Sequence, residues 1–153
     1  MGVDKPLVTV RDFIPGEAAD LRDVFMSSVH GLARRFYTEE QIKAWAPVTH
    51  GQGQWADRIA ALRPFVATVD GRVAGYADLQ ESGYIDHFFV AAEFSGQGVG
   101  SLLMQRLHEA ASQRRIAVLF ADVGLTAEAF FQHRGFAVVS CQSVRTWPYR
   151  MPG

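Results

Sequence analysis

The stretch HFFVAAEFSGQGVGSLLM, residues 87–104, places Gly96, Gly98 and Gly100 at alternate positions between an apolar run and an amphipathic helix. Glycine has no Cβ atom, so it leaves backbone N–H groups accessible, and the first turn of a helix adds the positive end of its dipole. The stretch therefore predicts a strand, a loop that binds a phosphate or pyrophosphate group, and a helix. A flexible turn with good helix entry is the alternative explanation of the same glycines.

Two common phosphate-binding loops match this stretch poorly. A dinucleotide-binding loop begins directly after its strand and reads G-x-G-x-x-G or G-x-G-x-x-A. Here Ser101 stands at the last position of that pattern, and five residues, AAEFS, separate the apolar run from the loop. A P-loop ends in Lys followed by Ser or Thr, and neither this loop nor the next helix contains Lys. The sequence therefore excludes a P-loop ATPase and makes nicotinamide dinucleotide binding remote.

The remaining elements follow from periodicity and turn residues. The pair Asp70-Gly71 between two apolar segments is a strong hairpin signal. The predicted order is β-α-α-β-β-β-α-β-α-β, an α/β (α+β) fold with a mixed sheet. In this order the strands and helices are predicted at 7–13, 17–36, 38–45, 64–69, 72–79, 83–90, 100–115, 116–123, 126–134 and 136–147, with a further turn or two of helix at 53–62.

Length and composition limit the class of protein. The 153 residues contain 48% hydrophobic and 20% charged residues, which predicts a single domain over residues 1–153 with a substantial core. Fifteen basic and sixteen acidic residues give a formal charge of -1 without a basic run, so we expect no nucleic-acid partner. The first ten residues lack a secretory signal and no apolar run has membrane-spanning length, which predicts a cytoplasmic protein without a membrane role.

Cysteine and histidine usage argues against two other kinds of site. Cys141 is the one cysteine of the chain, so an internal disulfide is impossible. The spacing of His50, His108 and His133 matches no metal-binding motif, and none of them has a cysteine partner. We expect no metal site.

Three segments in order resemble the GNAT superfamily of acetyl-CoA-dependent N-acetyltransferases. Residues 88–104 match its central pattern at Val90, Gly98 and Gly100, and the hairpin at 70–79 and the segment at 128–139 resemble the segments before and after it. The resemblance covers nearly the whole chain. It implies the GNAT-like acyl-CoA N-acyltransferase fold, in which strands 83–90 and 117–123 splay apart around the pantetheine arm of coenzyme A.

The same resemblance implies a set of residues that bind acetyl-CoA, mostly through backbone N–H groups. Two positions depart from the family pattern: Ser95 replaces the usual Arg or Gln, and Phe131 replaces the Tyr that often protonates the leaving thiolate. The implied set is Phe88, Phe89, Val90, Ser95, Gly96, Gln97, Gly98, Val99, Gly100, Ser101, Thr126, Phe130 and Phe131. A backbone N–H at Phe89 or Val90 is expected to polarise the thioester carbonyl.

Acetyl transfer needs a base more than it needs an acid. At neutral pH a lysine-like amine of pKa near 10.4 loses its proton at a cost of roughly 4.6 kcal/mol, whereas protonating a thiolate gains only about 2 kcal/mol. Asp86 is the first candidate base and His87 the second, and we expect their side chains on opposite faces of one strand. The alternative is structural: a hydrogen-bonded Asp86 and a satisfied, partly buried His87.

Aromatic and imidazole side chains are the candidates for acceptor contacts. His30, Tyr37 and Trp45 lie in the segment that covers the acceptor side in this family, and Tyr84 opens the strand that carries Asp86. Core packing is the alternative for each of them. The sequence thus predicts direct acetyl transfer from acetyl-CoA to a primary amine, on a small molecule or a protein, in a ternary complex, with a homodimer as in many family members. A CoA-binding module without efficient catalysis is the alternative.

Overall fold

The computed structural model describes residues 7–28, 52–123, 128–134, 136 and 145–150. The helix predicted at 38–45 lies outside these residues, as do the end of the helix predicted at 17–36 and most of the strand predicted at 136–147. Seven strands fall within the described residues: β1 (Val8–Asp12), β2 (Phe65–Val69), β3 (Arg72–Ala77), β4 (Tyr84–Ile85), β5 (Phe88–Val90), β6 (Val118–Val123) and β7 (Arg145–Arg150).

Four of these strands form an antiparallel sheet in the order β1-β2-β3-β5. The β2–β3 hairpin turns at Asp70 and Gly71, whose φ angles are 51° and 83°. Positive φ at both central residues is the requirement of a type I′ turn, which Asp-Gly satisfies at low cost. The predicted hairpin is confirmed.

Helices cover both faces of this sheet. They are α1 (Ala18–Ser27), α2 (Gln52–Leu62), α3 (Val99–Gln113) and the short α4 (Glu128–His133). A Cβ atom placed on Gly75 would lie 3.0 Å from Val99 of α3. The next residue, Tyr76, points to the other face, where α1 and α2 pack against each other. The Trp55 indole N–H of α2 donates to the Ala18 carbonyl of α1 at 2.7 Å, and this hydrogen bond links the two helices.

A second sheet has the strand order β4-β6-β7 and shares no strand with the first. Tyr84 and Ile85 pair in parallel with Phe120 and Ala121 of β6, whereas Phe88–Val90 pair with β3. The prediction of one continuous strand over 83–90 was therefore wrong, because Asp86 and His87 interrupt it and its two halves belong to different sheets. The mixed α/β class is confirmed, and the chain order contains one strand more than predicted.

Candidate active site

A buried carboxylate causes the interruption between β4 and β5. The Asp78 side chain accepts the backbone N–H of Asp86 at 2.8 Å and that of His87 at 2.6 Å. In a regular strand, successive N–H groups point to opposite sides. Two successive N–H groups that converge on one oxygen therefore bulge the backbone and turn β5 away from β4.

The bulge also brings Asp86 and His87 together on one side. Asp86 Oδ2 lies 3.9 Å from His87 Nε2 and 2.9 Å from the guanidinium of Arg58 on α2. The expectation that the two side chains lie on opposite faces was wrong, because strand alternation does not hold at a bulge. Both face α2, and Asp86 keeps 23% of its side chain exposed.

His87 is buried in an aromatic cluster and is neutral at pH 7. Its Nδ1 lies 2.9 Å from the Tyr76 hydroxyl, and its own side chain is almost inaccessible. Burial is the largest effect on its pKa, which falls to about 4, although the Asp86 carboxylate opposes the shift. The rings within 6.2 Å of the imidazole are Phe25, Trp55, Tyr76 and Phe89.

The pKa of Asp78 shifts in the opposite direction, upward. Burial raises its pKa to about 6, and the backbone N–H groups of His87 and Asp86 only partly offset this. Its side chain is fully buried. An acceptor molecule therefore has no access to this carboxylate, whose role is to hold the backbone.

The register of β5 determines which N–H groups face away from β3. Ala91 N–H donates to the Ala74 carbonyl at 2.8 Å, and Asp78 N–H donates to the His87 carbonyl at 3.1 Å. Hydrogen-bonded pairs alternate in an antiparallel ladder, so Phe89 directs its N–H toward β3. The N–H groups of Phe88 and Val90 point away from β3, toward the side where β5 and β6 diverge. Of the two N–H groups proposed for carbonyl polarisation, Val90 therefore has the required direction.

The glycine loop opens α3 without a side-chain cap. A 3-10 turn at Ala92–Phe94 follows β5, and Gly98 is the N-cap of α3 with φ 84° and ψ 6°. The Leu102 N–H donates back to the Gly98 carbonyl at 3.1 Å. The earlier N–H groups of a helix have no intrahelical acceptor, and a Cβ atom on Gly96 or Gly98 would meet nothing within 4 Å. Residues 95–98 are exposed, so this loop fits an anion.

Side chains from α4 and from the residue that follows it reach β5 and the first turn of α3. The Arg134 guanidinium donates to the Ser101 hydroxyl in the first turn of α3. Phe131 is buried, with its ring 5.5 Å from Phe88 and 5.0 Å from Phe136. The apolar side chain of Phe131 thus occupies the position of the usual family acid. The positive charge of Arg134 lies near the loop in which Ser95 replaces the usual Arg or Gln.

The predicted acceptor residues lie mostly outside the described part of the chain. His30, Tyr37 and Trp45 are outside it. Of the residues predicted to bind acetyl-CoA, Thr126 is outside it as well, and Phe130 is described only as part of the α4 backbone. Tyr84 packs its ring 5.2 Å from that of Phe120 on β6.

Arg58, Tyr76 and Asp78 belong to this site but were not predicted from the sequence. Asp78 had one usable signal: it is a lone carboxylate directly after a buried strand, where an unpaired charge is costly. Arg58 and Tyr76 had none, because only the packing of α2 and β3 against residues 86–87 gives them a role.

Similarity to known proteins agrees with this geometry. Residues 33–148 match the family model of the acetyltransferase (GNAT) domain. Over 137 residues the chain is 31% identical to the uncharacterized N-acetyltransferase YafP of Escherichia coli (strain K12), covering 90% of this chain and 86% of that protein.

Two solved structures extend the comparison. A GCN5-related N-acetyltransferase from Rhodopseudomonas palustris has a TM-score of 0.85 at 28% identity and covers 98% of each chain. The PaiA N-acetyltransferase from Thermoplasma acidophilum, solved with coenzyme A, has a TM-score of 0.81 at 15% identity and covers 94% of this chain and 99% of its own. The chain belongs to the GNAT superfamily of N-acetyltransferases. The resemblance noted from the glycine loop is confirmed.

The described residues hold neither a membrane-spanning helix nor a cluster of metal ligands. None of the helices there combines the length and apolar character needed to cross a bilayer. Within the same residues, no three His, Cys, Asp or Glu side chains are grouped so that they could hold a metal ion.

Proposed function

We propose that the protein transfers the acetyl group of acetyl-CoA directly to a primary amine in a ternary complex, and that Asp86 takes the proton of the amine. Acetyl-CoA supplies an acetyl group activated as a thioester. The observation that carries the proposal is the bulge at residues 86–87, which places a partly exposed carboxylate beside the diverging edge of β5. The neighbour PaiA was solved with coenzyme A, which supports the choice of cosubstrate.

The chain's own groups divide the binding task. The glycine loop and the first turn of α3 offer backbone N–H groups to the pyrophosphate, and Arg134 adds a positive charge beside Ser101. Val90 directs its N–H toward the diverging edge, where it can donate to the thioester carbonyl. The apolar contacts of Phe131 favour the binding of the acyl end but supply no proton.

Asp86 has the better geometry for a base than His87. Its carboxylate is partly exposed and contacts Arg58 of α2 at 2.9 Å. The His87 side chain is almost fully buried, so an incoming amine has less access to its imidazole than to the Asp86 carboxylate. An amine N–H that donates to Asp86 leaves the nitrogen lone pair free to attack the carbonyl.

Phe131 favours the second candidate, a CoA-binding module without efficient catalysis. It removes the usual acid and surrounds the expected thiolate position with phenyl rings. Both candidate functions predict binding of coenzyme A, but only the transferase predicts efficient turnover with an amine.

Thermal unfolding with acetyl-CoA, CoA or NADH tests the cosubstrate first. A ligand at a hundred times its Kd adds about 2.7 kcal/mol to the free energy of unfolding, which gives a clear increase in Tm. We expect an increase with acetyl-CoA and CoA and none with NADH. Amines of graded size and charge are then screened for release of the CoA thiol. Amine-dependent release supports the transferase, whereas binding without release supports the module.

A further inference from the structure

We infer that Tyr76 fixes His87 as the Nε2–H tautomer, so that His87 positions the Asp86 carboxylate and does not itself take the amine's proton. The catalytic consequence rests on the proposed function, whereas the tautomer is a property of the protein alone. The glycine pattern by which the chain resembles its family gives no role to Tyr76 and no positioning role to His87.

The direction of the Tyr76–His87 hydrogen bond follows from burial. Tyr76 is fully buried on β3, and its hydroxyl lies 2.9 Å from His87 Nδ1. Among the hydrogen bonds of the described residues, this is the one that the hydroxyl makes. Burial also raises the pKa of Tyr76, so the phenol keeps its proton at neutral pH. A buried O–H without an acceptor is costly, so Tyr76 donates and Nδ1 accepts through its lone pair.

The other ring nitrogen must then carry the hydrogen of the neutral imidazole. Nε2 lies 3.9 Å from Asp86 Oδ2, which is too long for a direct hydrogen bond. The positioning role therefore requires either one water about 2.9 Å from both atoms or a small rotation of Asp86 that closes the distance when the acceptor is bound. On its other side Asp86 is held by Arg58 at 2.9 Å. The carboxylate is thus oriented between two N–H donors, His87 directly before β5 and Arg58 on α2.

This arrangement leaves His87 without a free lone pair. Nδ1 accepts from Tyr76, and Nε2 donates toward Asp86. In the proposed reaction the lone pair of the neutral amine forms the new bond to the acetyl carbon, and its N–H bond breaks as the proton forms an O–H bond on Asp86. The C–S bond of the thioester breaks, and its electron pair leaves on the sulfur of coenzyme A. The Nε2 hydrogen is not transferred at any step.

Long-range 1H–15N correlation spectra of the protein labelled at histidine test the tautomer without any substrate. The chain has five histidines, and the His87→Gln variant identifies the signals of His87. We expect a neutral Nε2–H pattern at pH 6–8 in the wild type and a mixture of tautomers in Tyr76→Phe, which loses the hydrogen bond and keeps the ring. A wild-type pattern with the hydrogen on Nδ1 would overturn the inference, whatever the protein catalyses.

Kinetics of amide variants test the positioning role. Gln carries an amide N–H near the place of Nε2, whereas Asn carries one near the place of Nδ1. We expect His87→Gln to keep kcat within about 5-fold of the wild type, since one hydrogen bond changes, and His87→Asn to lose at least 10-fold, with the KM for acetyl-CoA unchanged in both. If His87 were the base, both variants would lose activity equally, because neither amide accepts a proton. If Asp86→Asn is fully active, the proposed base is wrong while the spectra still decide the tautomer.

Discussion

The backbone N–H of His87 donates to the Asp78 carboxylate across 2.6 Å, and the two residues lie nine positions apart, Asp78 directly after β3 and His87 between β4 and β5. The same carboxylate accepts the N–H of Asp86. One buried anion thereby replaces the strand partners that residues 86 and 87 lose where β4 and β5 part. The geometry of the candidate site therefore depends on a side chain that has no access to the substrate.

The opposite pKa shifts of Asp78 and His87 predict that their pH-dependent contributions to the free energy of unfolding largely cancel. Asp78 has a pKa of about 6 in place of 3.8, so its contribution to the free energy of unfolding is lost as the pH rises from about 4 to 6. His87 has a pKa of about 4 in place of 6.5, so its contribution is lost as the pH falls from about 6.5 to 4. Each shift corresponds to about 3 kcal/mol at most. In the wild type the two slopes largely cancel.

Single variants separate these two slopes. In Asp78→Asn only the histidine effect remains, so the free energy of unfolding falls by up to about 3 kcal/mol between pH 6.5 and 4. In His87→Gln only the carboxyl effect remains, so the same quantity rises over that range. Urea unfolding at pH 4.5, 5.5 and 6.5 measures both slopes. Equal slopes in the two variants would contradict the opposite shifts.

Removal of the charge on Asp86 tests the proposed base. We expect Asp86→Asn to lower kcat about 100-fold or more, the usual effect of losing general base catalysis, with the Kd of acetyl-CoA unchanged. Glu109→Gln is the matched control, because this carboxylate is exposed on α3 and its charge pairs only loosely with Arg106. Stopped-flow measurement of thiol release and titration of acetyl-CoA separate the two effects. A loss of acetyl-CoA affinity that matches the loss of kcat would argue against the base.

Local chemistry made part of this fold predictable. The Asp70-Gly71 turn and the strand–loop–helix unit around Gly98 follow from residues that are adjacent in the sequence. The break at residues 86–87 was not predictable, because it depends on Asp78, a residue that follows β3 and lies eight and nine positions earlier in the sequence. Periodicity therefore gave one strand where two exist, and it assigned Asp86 and His87 to opposite faces.

Loss of the Arg134 charge tests its part in binding coenzyme A. Its guanidinium donates to Ser101 at the first turn of α3, near the loop in which Ser95 supplies no long side chain. We expect Arg134→Gln to raise the Kd of CoA about 5-fold at low salt and less at high salt, since an exposed charge contributes about 1 kcal/mol. Arg115→Gln, two residues past the far end of the same helix, is the matched control. Isothermal titration calorimetry with CoA at two salt concentrations measures these Kd values. Equal increases of the Kd in both variants would exclude a specific contact between Arg134 and CoA.

A carboxylate in the glycine loop should abolish CoA binding. Gly98 has a φ of 84°, and a side chain there points into open space, so Gly98→Glu adds a negative charge where we propose that the pyrophosphate binds. Gly16→Glu is the matched control, because Gly16 has a φ of 100°, is equally open, and follows the Asp12 end of β1, at the edge of the sheet opposite the loop. Both variants place a non-glycine residue at positive φ and should lose about 1–2 kcal/mol of stability. We expect only Gly98→Glu to lose the increase in Tm with CoA; an unchanged increase in that variant would remove the loop from the binding site.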